Sequence, residues 1–253
     1  MKIISLAENT SGREDIGSEH GLSLYIEACG KKILFDMGQG ELFHQNATTL
    51  GIDLSKVDIA VISHGHYDHG GGLAHFTKIN GTAPVYIREG SFLPYFNGEK
   101  YIGLDPALEN CDRLRVTNGE AELASGLRLS AIDVEPADRG RLTVRRGEKF
   151  IPDSFDHEQY LLIEENGKRV LVSGCSHKGI LAIAERFRPD VLVGGFHFMD
   201  SPLDDRMIAA AERLGALGCD CYTCHCTGLM QYDFLTKYMN RIKYLSAGDG
   251  IEI

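Results

Sequence analysis

Short runs of apolar and β-branched residues along the chain predict an alternation of strands with a few helices. The first part of the chain has the pattern of a meander, with strands expected at 2–6, 22–27 and 32–36. Gly30-Lys31 is a hairpin signal between the last two of these strands. A helix is expected over 40–51, where apolar residues recur at helical spacing, and a buried strand over 57–63.

The second half of the chain is more regular, and helix patterns lie between successive strands. Strands are expected at 159–164, 169–173, 190–194, 219–223 and 242–246. Helices are expected near 178–187, 204–217 and 230–240. Segment 82–150 has no long period and predicts strands interrupted by a loop insertion, the kind of loop that shapes a substrate pocket. Because no linker interrupts the pattern, residues 1–253 are expected to form one domain of the α/β class.

One decapeptide, Ser-His-Gly-His-Tyr-Asp-His-Gly-Gly-Gly at 63–72, concentrates metal-ligand side chains directly after a buried strand. Within six positions it contains His64, His66, Asp68 and His69. Neutral imidazole nitrogen and carboxylate oxygen are donors that zinc and similar divalent ions accept. Four such groups have little reason to gather on one loop without an ion. The segment therefore predicts a metal site at the carboxyl end of a strand.

Three more histidines follow the ends of later strands, namely His177, His197 and His225. Polar groups at the carboxyl ends of parallel strands meet at one edge of a sheet, so these side chains are expected to converge. The cysteine-rich segment 219–226 reads Cys-x-Cys-x-x-Cys-x-Cys rather than paired Cys-x-x-Cys. We interpret its cysteines as buried apolar residues rather than as a separate metal centre.

These motifs resemble the metallo-β-lactamase superfamily, whose members are four-layer αββα sandwiches of two sheets flanked by helices. The signature is His64-x-His66-x-Asp68-His69 after an apolar strand. Further segments are similar to the branch named for the 7,8-dihydropterin-6-methyl-4-(β-D-ribofuranosyl)aminobenzene-5′-phosphate synthases. They are Glu-His-Gly-Leu-Ser-Leu at 19–24, Leu-Phe-Asp-Met-Gly-Gln at 34–39, Gly-Cys-Ser-His at 174–177, Gly-Gly-Phe-His at 194–197 and His-Cys-Thr-Gly at 225–228. The resemblance runs nearly from end to end.

The resemblance implies one or two divalent metal ions, with zinc expected first and manganese, iron or nickel as alternatives. In this pattern His64 and His66 join a third group on one ion. Asp68, His69 and His225 belong to the second ion. A carboxylate or thiolate after a later strand often bridges the two.

The bridging position departs from the superfamily, because Gly174 is followed by Cys175 where an aspartate is usual. His177, two residues later, is the other candidate. We expect His177 to be the metal ligand and Cys175 to be a packed thiol, although a thiolate bridge stays open. His157 lies 18 residues before Cys175, near where many members place a histidine. It is left out of the expected ligand set, because an exposed loop position is an equally good interpretation.

His20 and His197 belong to motifs that match the branch. His197 is expected to hydrogen-bond the substrate or an oxyanion, or to donate a proton, and the alternative is a histidine that orients a metal ligand. Asp36 ends a strand beside the site and is expected to brace the histidine loop.

A metal pair of this type lowers the pKa of a bound water to near 7, and Asp68 would position this nucleophile and take its proton. The expected activity is therefore hydrolysis of a small ester or phosphodiester, phosphorylated substrates included. The name of the branch implies an alternative, a transferase-like condensation of a dihydropterin with an aminobenzene ribofuranosyl phosphate. The sequence has no Gly-x-Ser-x-Gly elbow and no phosphate loop, so serine catalysis and nucleotide cofactors are not supported.

The expected partner is a small-molecule substrate, and the composition disfavours two other classes of partner. The net charge of −10 disfavours nonspecific binding to nucleic acid. No apolar run is long enough for a membrane span, and the N-terminus lacks the pattern of a signal peptide. Seven cysteines in such a chain are expected to be reduced thiols, which favours the cytoplasm.

Overall fold

This computed structural model describes residues 1–136 and 141–253 of the chain. These residues form two seven-stranded sheets, a smaller four-stranded sheet and six α-helices, joined by loops. In chain order the strands are β1 (Lys2–Ala7), β2 (Ser23–Ala28), β3 (Lys31–Phe35), β4 (Ile59–Val61), β5 (Val85–Arg88), β6 (Tyr95–Asn97), β7 (Lys100–Tyr101), β8 (Leu114–Thr117), β9 (Ala121–Ala124), β10 (Leu127–Ser130), β11 (Leu142–Arg146), β12 (Lys149–Pro152), β13 (Tyr160–Glu165), β14 (Lys168–Val172), β15 (Val191–Gly194), β16 (Asp220–Thr223), β17 (Ile242–Tyr244) and β18 (Gly250–Glu252). The helices are α1 (Leu42–Thr49), α2 (Tyr67–Gly70), α3 (Leu73–Ile79), α4 (Ile180–Phe187), α5 (Asp205–Ala216) and α6 (Leu229–Leu235).

The first sheet has the strand order β18-β1-β2-β3-β4-β5-β8, and the second has the order β17-β16-β15-β14-β13-β10-β9. Each sheet contains a parallel part: β3, β4, β5 and β8 in the first sheet, and β14, β15, β16 and β17 in the second. The third sheet, β12-β11-β6-β7, is antiparallel throughout. The parallel parts matter most for function, because the carboxyl ends of parallel strands meet at one edge.

Three apolar cores separate four layers. Inward-facing residues of the two large sheets, such as Ile33 and Val170, form a core between the sheets. A second core lies between the first sheet and helices α1 and α3, and it includes Phe43 and Phe76. A third core lies between the second sheet and helices α4, α5 and α6. The chain is therefore a mixed α/β protein with the layer order αββα, as the sequence predicted.

The helices that cover the second sheet follow from simple sequence patterns. Helix α4 has buried residues at the spacing i, i+3, i+4 and i+7, namely Ile180, Ile183, Ala184 and Phe187. Asp204 is the N-cap of helix α5, and its side chain accepts hydrogen bonds from the backbone N–H groups of the first turn. Both helices lie close to their predicted bounds.

Three details of the first half differ from the sequence predictions. The hairpin turn lies at Cys29-Gly30, both with positive φ, one residue earlier than predicted. Strand β18, which pairs with β1, was not predicted, because it is only three residues long. Segment 82–150 was predicted to hold strands and a loop insertion, and in the described residues its insertion is ordered as hairpins of the third sheet.

Helix α3 was also not predicted, because three glycines precede it and suggest only a turn. The structure shows why glycine is needed there. A Cβ atom at Gly71 would collide with the carbonyl oxygens of Gln39 and Tyr67, and one at Gly72 with that of Met37. The glycines therefore allow close approach of two backbone segments, and the chain then continues as a helix.

Two further expectations concerned the cysteines, as free and buried thiols, and the lack of a long apolar segment. All seven cysteines are free, and Cys219 and Cys221 pack in the core beneath helices α4 to α6. Within the described residues, no helix has both the length and the apolar character needed to cross a bilayer.

We predict that Gly72→Ala lowers the free energy of unfolding by about 1–3 kcal/mol, because the added methyl group overpacks a backbone contact. Urea denaturation would measure the change. The matched control is Gly81→Ala, where a Cβ atom would meet nothing within 4 Å. Equal stability of the two variants would contradict the proposed close contact at Gly72.

Candidate metal centre

Most of the candidate ligands lie where parallel strands of the two large sheets end. The loop after β4 provides His64, His66, Asp68 and His69, and α2 spans its last part. In the second sheet, the loops after β14, β15 and β16 provide Cys175 with His177, then His197, then His225. The predicted convergence of these residues is therefore what the structure shows.

A first cluster contains three buried imidazoles, those of His64, His66 and His177. Nε2 of His177 is 3.3 Å from Nε2 of His64. One ring nitrogen from each of the three residues lies within 4.8 Å of the others, which is close enough to hold one ion. His177 thus groups with both His64 and His66, whose third partner the sequence left open.

A second cluster lies beside the first and contains Asp68, His69 and His225. Nε2 of His69 is 3.2 Å from Nε2 of His225, and Oδ2 of Asp68 is 3.5 Å from the latter. His20 approaches the same carboxylate oxygen, with its Nε2 at 3.3 Å. Its ring is about half exposed, so it forms the solvent side of this cluster.

Cys175 lies between the two clusters. Its Sγ is 3.2 Å from Nε2 of His69, and it groups with His64 and His69 within 4.8 Å. The same sulfur groups with His177 and His197. The sequence analysis favoured His177 over Cys175, but the structure brings both residues to the site in different places.

Burial controls the charge of the first cluster. Desolvation, strengthened by neighbouring imidazoles, holds the pKa of His64 and of His177 well below the usual value. Burial also lowers the pKa of His66. These rings are neutral near pH 7, which is the form that donates a lone pair to a metal. The Cys175 thiol is protonated without an ion, because burial raises its pKa well above the usual value.

The second cluster has the opposite electrostatics. Burial favours neutral His69, but the carboxylates of Asp36 and Asp68 outweigh it and raise the pKa of His69 to about 9. Burial would also raise the pKa of Asp68, yet the charge of His69 and hydrogen bonds from His20 and His225 lower it well below the usual range. Without an ion, this cluster is therefore a buried ion pair.

Asp36 braces the histidine loop, as the sequence predicted. Its Oδ2 is 2.6 Å from Nδ1 of His69, and it also accepts a hydrogen bond from the hydroxyl of Ser63. Its Oδ1 accepts a hydrogen bond from the backbone N–H of Ser63 at 2.7 Å. Because Nδ1 of His69 is engaged, its Nε2 is directed into the cluster.

Two buried glutamates hold the histidines on the second sheet, and the sequence analysis gave neither this role. Glu8 accepts hydrogen bonds from the backbone N–H of His225 at 2.6 Å and from the hydroxyl of Tyr244 at 2.7 Å. Glu158 does the same for the backbone N–H of His177 at 2.7 Å and for the hydroxyl of Tyr160 at 2.6 Å.

This Glu–Tyr clamp occurs twice, once behind each cluster. Both carboxylates are fully enclosed, and each fixes the backbone of a histidine just past the end of a strand. Glu8 could not be paired with His225 from spacing alone, because the two residues are 217 positions apart in the chain.

Several residues of the site have left-handed backbone conformations that non-glycine residues rarely adopt. They are Asp36, Phe155, Ser176, His197 and His225, with φ between 49° and 62°. Each such conformation costs free energy and persists only where surrounding contacts determine it. The hydrogen bonds of Asp36 and the Glu8 clamp are such contacts.

His157 is neither an exposed loop residue nor an available ligand. It is buried, and its Nδ1 accepts a hydrogen bond from the backbone N–H of Gly65 at 2.8 Å. Its Nε2 is 3.1 Å from the carboxylate of Asp153. Both ring nitrogens are therefore used, and His157 supports the histidine loop from behind.

A cavity of about 520 Å³ is lined by members of both clusters, His66 and His177 of the first and Asp68 and His225 of the second. His197, half-buried, lines this cavity too, and its ring centre is 4.2 Å from that of His177. The cavity is also lined by Asn97 of β6, Lys100 of β7 and Arg141, which precedes β11. The cavity thus joins candidate metal ligands to polar side chains that can contact a bound molecule.

Comparison with known proteins agrees with this geometry. The sequence profile of the Metallo-beta-lactamase superfamily matches residues 16–222. The chain belongs to that superfamily.

Two relatives cover almost all of the chain. It is 28% identical to 7,8-dihydropterin-6-methyl-4-(beta-D-ribofuranosyl)-aminobenzene-5′-phosphate synthase of Methanocaldococcus jannaschii, over 98% of this chain and 95% of that protein. It is 30% identical to Tm1679, a metal-dependent hydrolase of the beta-lactamase superfamily. That crystal structure superposes with a TM-score of 0.83 over 100% of this chain and 99% of the other. The fold is shared with YhfI of Bacillus subtilis, at a TM-score of 0.65, 11% identity and coverage of 100% and 98%.

We predict that Glu8→Gln displaces His225 and lowers the free energy of unfolding by about 1–3 kcal/mol, because an amide NH₂ would face buried donors. Chemical denaturation measures the stability, and the NMR shifts of the His225 ring measure the displacement. The control is Tyr244→Phe, which removes one hydrogen bond and leaves the carboxylate in place. Unchanged His225 shifts in Glu8→Gln would contradict the clamp.

Proposed function

We propose that this chain is a metal-dependent hydrolase that uses an activated water molecule to cleave a small ester or phosphodiester. The observation that carries the proposal is the pair of donor clusters, with Cys175 between them, beside a cavity that members of both clusters line. The proposed ligands of one ion are His64, His66 and His177. Those of the other are Asp68, His69 and His225.

The residues present fit divalent ions. The first cluster offers neutral imidazoles, and one ring nitrogen from each of its three residues lies within 4.8 Å of the others. Three lone pairs that converge in this way suit a divalent ion. Mixed imidazole and carboxylate donors favour zinc, with manganese, iron or nickel as alternatives. Cys175 and Cys226 are soft donors near the clusters, because the sulfur of Cys226 groups with Cys175 and His225 within 4.8 Å. Either thiolate would add preference for zinc or iron.

Bound divalent ions supply Lewis acidity and lower the pKa of a water molecule to near 7. The chain's own residues direct the rest of the reaction. Asp68 lies where it can orient this water and take its proton as the water oxygen attacks the carbonyl carbon or the phosphorus. His20, 3.3 Å from the same carboxylate and half exposed, can pass the proton to solvent.

His197 is placed to act at the other end of the scissile bond. As the ester C–O or P–O bond breaks, the leaving alkoxide needs a proton, and a cavity-lining imidazole can provide it. The same ring could instead donate a hydrogen bond to the oxyanion. Its backbone is left-handed, with φ of 56°.

A second activity is a condensation like that named for the M. jannaschii synthase. The 28% identity over nearly the full length of both chains favours it. The same clusters would then hold a substrate that carries a leaving group. The cavity would have to admit two substrates, whereas hydrolysis requires one substrate and a water molecule. The relative Tm1679, named a hydrolase, favours the first activity.

Isotope labelling separates the two activities. We predict that metal-loaded protein turns over a member of a panel of phosphodiesters, lactones and pterin substrates, and that in ¹⁸O water the product acquires one ¹⁸O atom. Asp68→Asn should lower kcat about a hundredfold or more, because the proton acceptor is lost. A condensation product without ¹⁸O would establish the second activity instead.

The control for this experiment is Asp112→Asn, which makes the same chemical change at an exposed position outside the site. Its turnover should equal that of the wild type. Near-wild-type turnover by Asp68→Asn would remove Asp68 from the reaction.

We also predict that one to two divalent ions bind per chain and that the double variant His64→Ala, His66→Ala loses them. Plasma mass spectrometry measures the metal content. His177→Ala should lower occupancy, whereas Cys175→Ser should keep the ions and shift the preference toward harder metals. Full occupancy in His177→Ala with loss in Cys175→Ser would make the thiolate the essential ligand.

The matched control for metal content is the double variant His44→Ala, His75→Ala. This pair, with ring nitrogens 2.9 Å apart, lies on helices α1 and α3 outside the site. Removing it tests whether the loss of any two histidines changes the metal content. Retained metal in the His64→Ala, His66→Ala variant would refute the assignment.

A further inference from the structure

The cavity is lined by a lysine whose charge no described carboxylate pairs with. Among the described residues, two cations line the cavity, Lys100 and Arg141. Nη2 of Arg141 is 2.8 Å from the carboxylate of Asp200, so that charge is compensated. Among residues 1–136 and 141–253, Lys100 has no carboxylate within 4.0 Å. Lys100 is exposed and lines the cavity, so its ammonium is accessible to a molecule that binds there.

The Lys100 ammonium is held beside the metal-ligand loop. Its Nζ donates a hydrogen bond to the hydroxyl of Tyr67 at 2.9 Å and lies 4.5 Å from the centre of that ring. Tyr67 stands between His66 and Asp68 in the sequence. An ammonium has three N–H donors, and Tyr67 accepts only one of them. Two donors therefore remain for a molecule in the cavity.

The backbone fixes the distance between this ammonium and the histidine loop. The carbonyl of Ile102 accepts a hydrogen bond from the backbone N–H of Tyr67 at 2.8 Å. His66 and Gly103 form a β-bridge next to it. The hairpin of β6 and β7 is thus attached directly to the loop that carries the metal ligands.

The hairpin places a second donor beside the first. Asn97 and Lys100 are register partners in the β6–β7 pair, so their side chains lie on the same side of the hairpin. Both line the cavity. The amide of Asn97 offers two N–H donors and no charge. Together the pair offers several donors and one positive charge.

We propose that Lys100 and Asn97 form a subsite for a phosphate monoester group on the substrate, at the end remote from the bond that is cleaved. The inference rests on the proposed function, because a substrate whose reacting ester lies over the histidines extends toward the hairpin. A phosphate monoester has three acceptor oxygens and about −1.5 to −2 charge at pH 7. The ammonium of Lys100 is a compact point charge, the form in which lysine binds phosphate.

Binding of small probes to the metal-loaded protein tests the subsite without requiring turnover. Isothermal titration calorimetry would compare benzyl phosphate, phenylacetate and benzyl alcohol. Lys100→Met should weaken binding of benzyl phosphate about tenfold or more, since a charge-assisted hydrogen bond is lost. Asn97→Ala should weaken it about threefold. Binding of benzyl alcohol should not change.

The matched control is Lys149→Met on strand β12 of the same small sheet, which removes the same charge from a position that does not line the cavity. Its affinity for benzyl phosphate should stay within about twofold of the wild type, because a distant exposed charge is screened. Equal losses in Lys100→Met and Lys149→Met would overturn the proposal. An unchanged affinity in Lys100→Met would also overturn it and would place the phosphate on the metal ions.

Phenylacetate separates phosphate from carboxylate recognition. A loss for phenylacetate as large as that for benzyl phosphate would overturn the phosphate assignment in favour of a general anion subsite. The result also separates this inference from the proposed function. If no ester is hydrolysed but Lys100→Met still weakens benzyl phosphate, the subsite stands and the hydrolase proposal fails.

Discussion

The carboxylate of Asp36 connects the framework of the protein to its candidate metal centre. It lies at the end of β3 and is fully buried, so its charge must be met by donors within the protein. Those donors are the backbone and hydroxyl of Ser63 and the ring of His69. Strand β4, the histidine loop and the second cluster therefore take their positions from one ionised group. Removing it would take away the partner of the Ser63 backbone N–H and the partner at 2.6 Å from Nδ1 of His69.

The histidines on the second sheet are fixed in position by different contacts. The carboxylates of Glu8 and Glu158 hold the backbone of His225 and His177. The ring of His225 is also held, since its Nδ1 is 2.8 Å from Oδ1 of Asn9. The left-handed conformation of His225 is tolerated because such contacts overdetermine it. Buried carboxylates thus hold a histidine ring on the first sheet and histidine backbones on the second. The meeting of the two sheets places six donors and a thiol within a small volume.

The features that the sequence predicted are those in which local spacing carries the information. The density of ligands at His64–His69 and the position of His177 and His225 after strands sufficed to place them at one edge. Position alone was misleading for His157, because spacing cannot show that its nitrogens are used by Gly65 and Asp153. Glu8 was not found, since its partner His225 is 217 residues away and nothing in either local sequence relates them. Helix α3 was missed because glycine needed for a close contact looks like glycine in a loop.

The small sheet of β6, β7, β11 and β12 is positioned to contact a substrate, whereas the candidate metal ligands lie on the two large sheets. It contributes no candidate metal ligand, yet it lines part of the cavity and is joined to the histidine loop by the contact between Tyr67 and Ile102. Residues at the tip of the β6–β7 hairpin can therefore change without removing a candidate ligand, whereas Tyr95 of β6 stacks on His157 behind the histidine loop. In evolutionary terms, such a layout lets descendants of one scaffold acquire new substrates by exchanging a hairpin. For protein engineering, the same hairpin is the natural place to redesign selectivity.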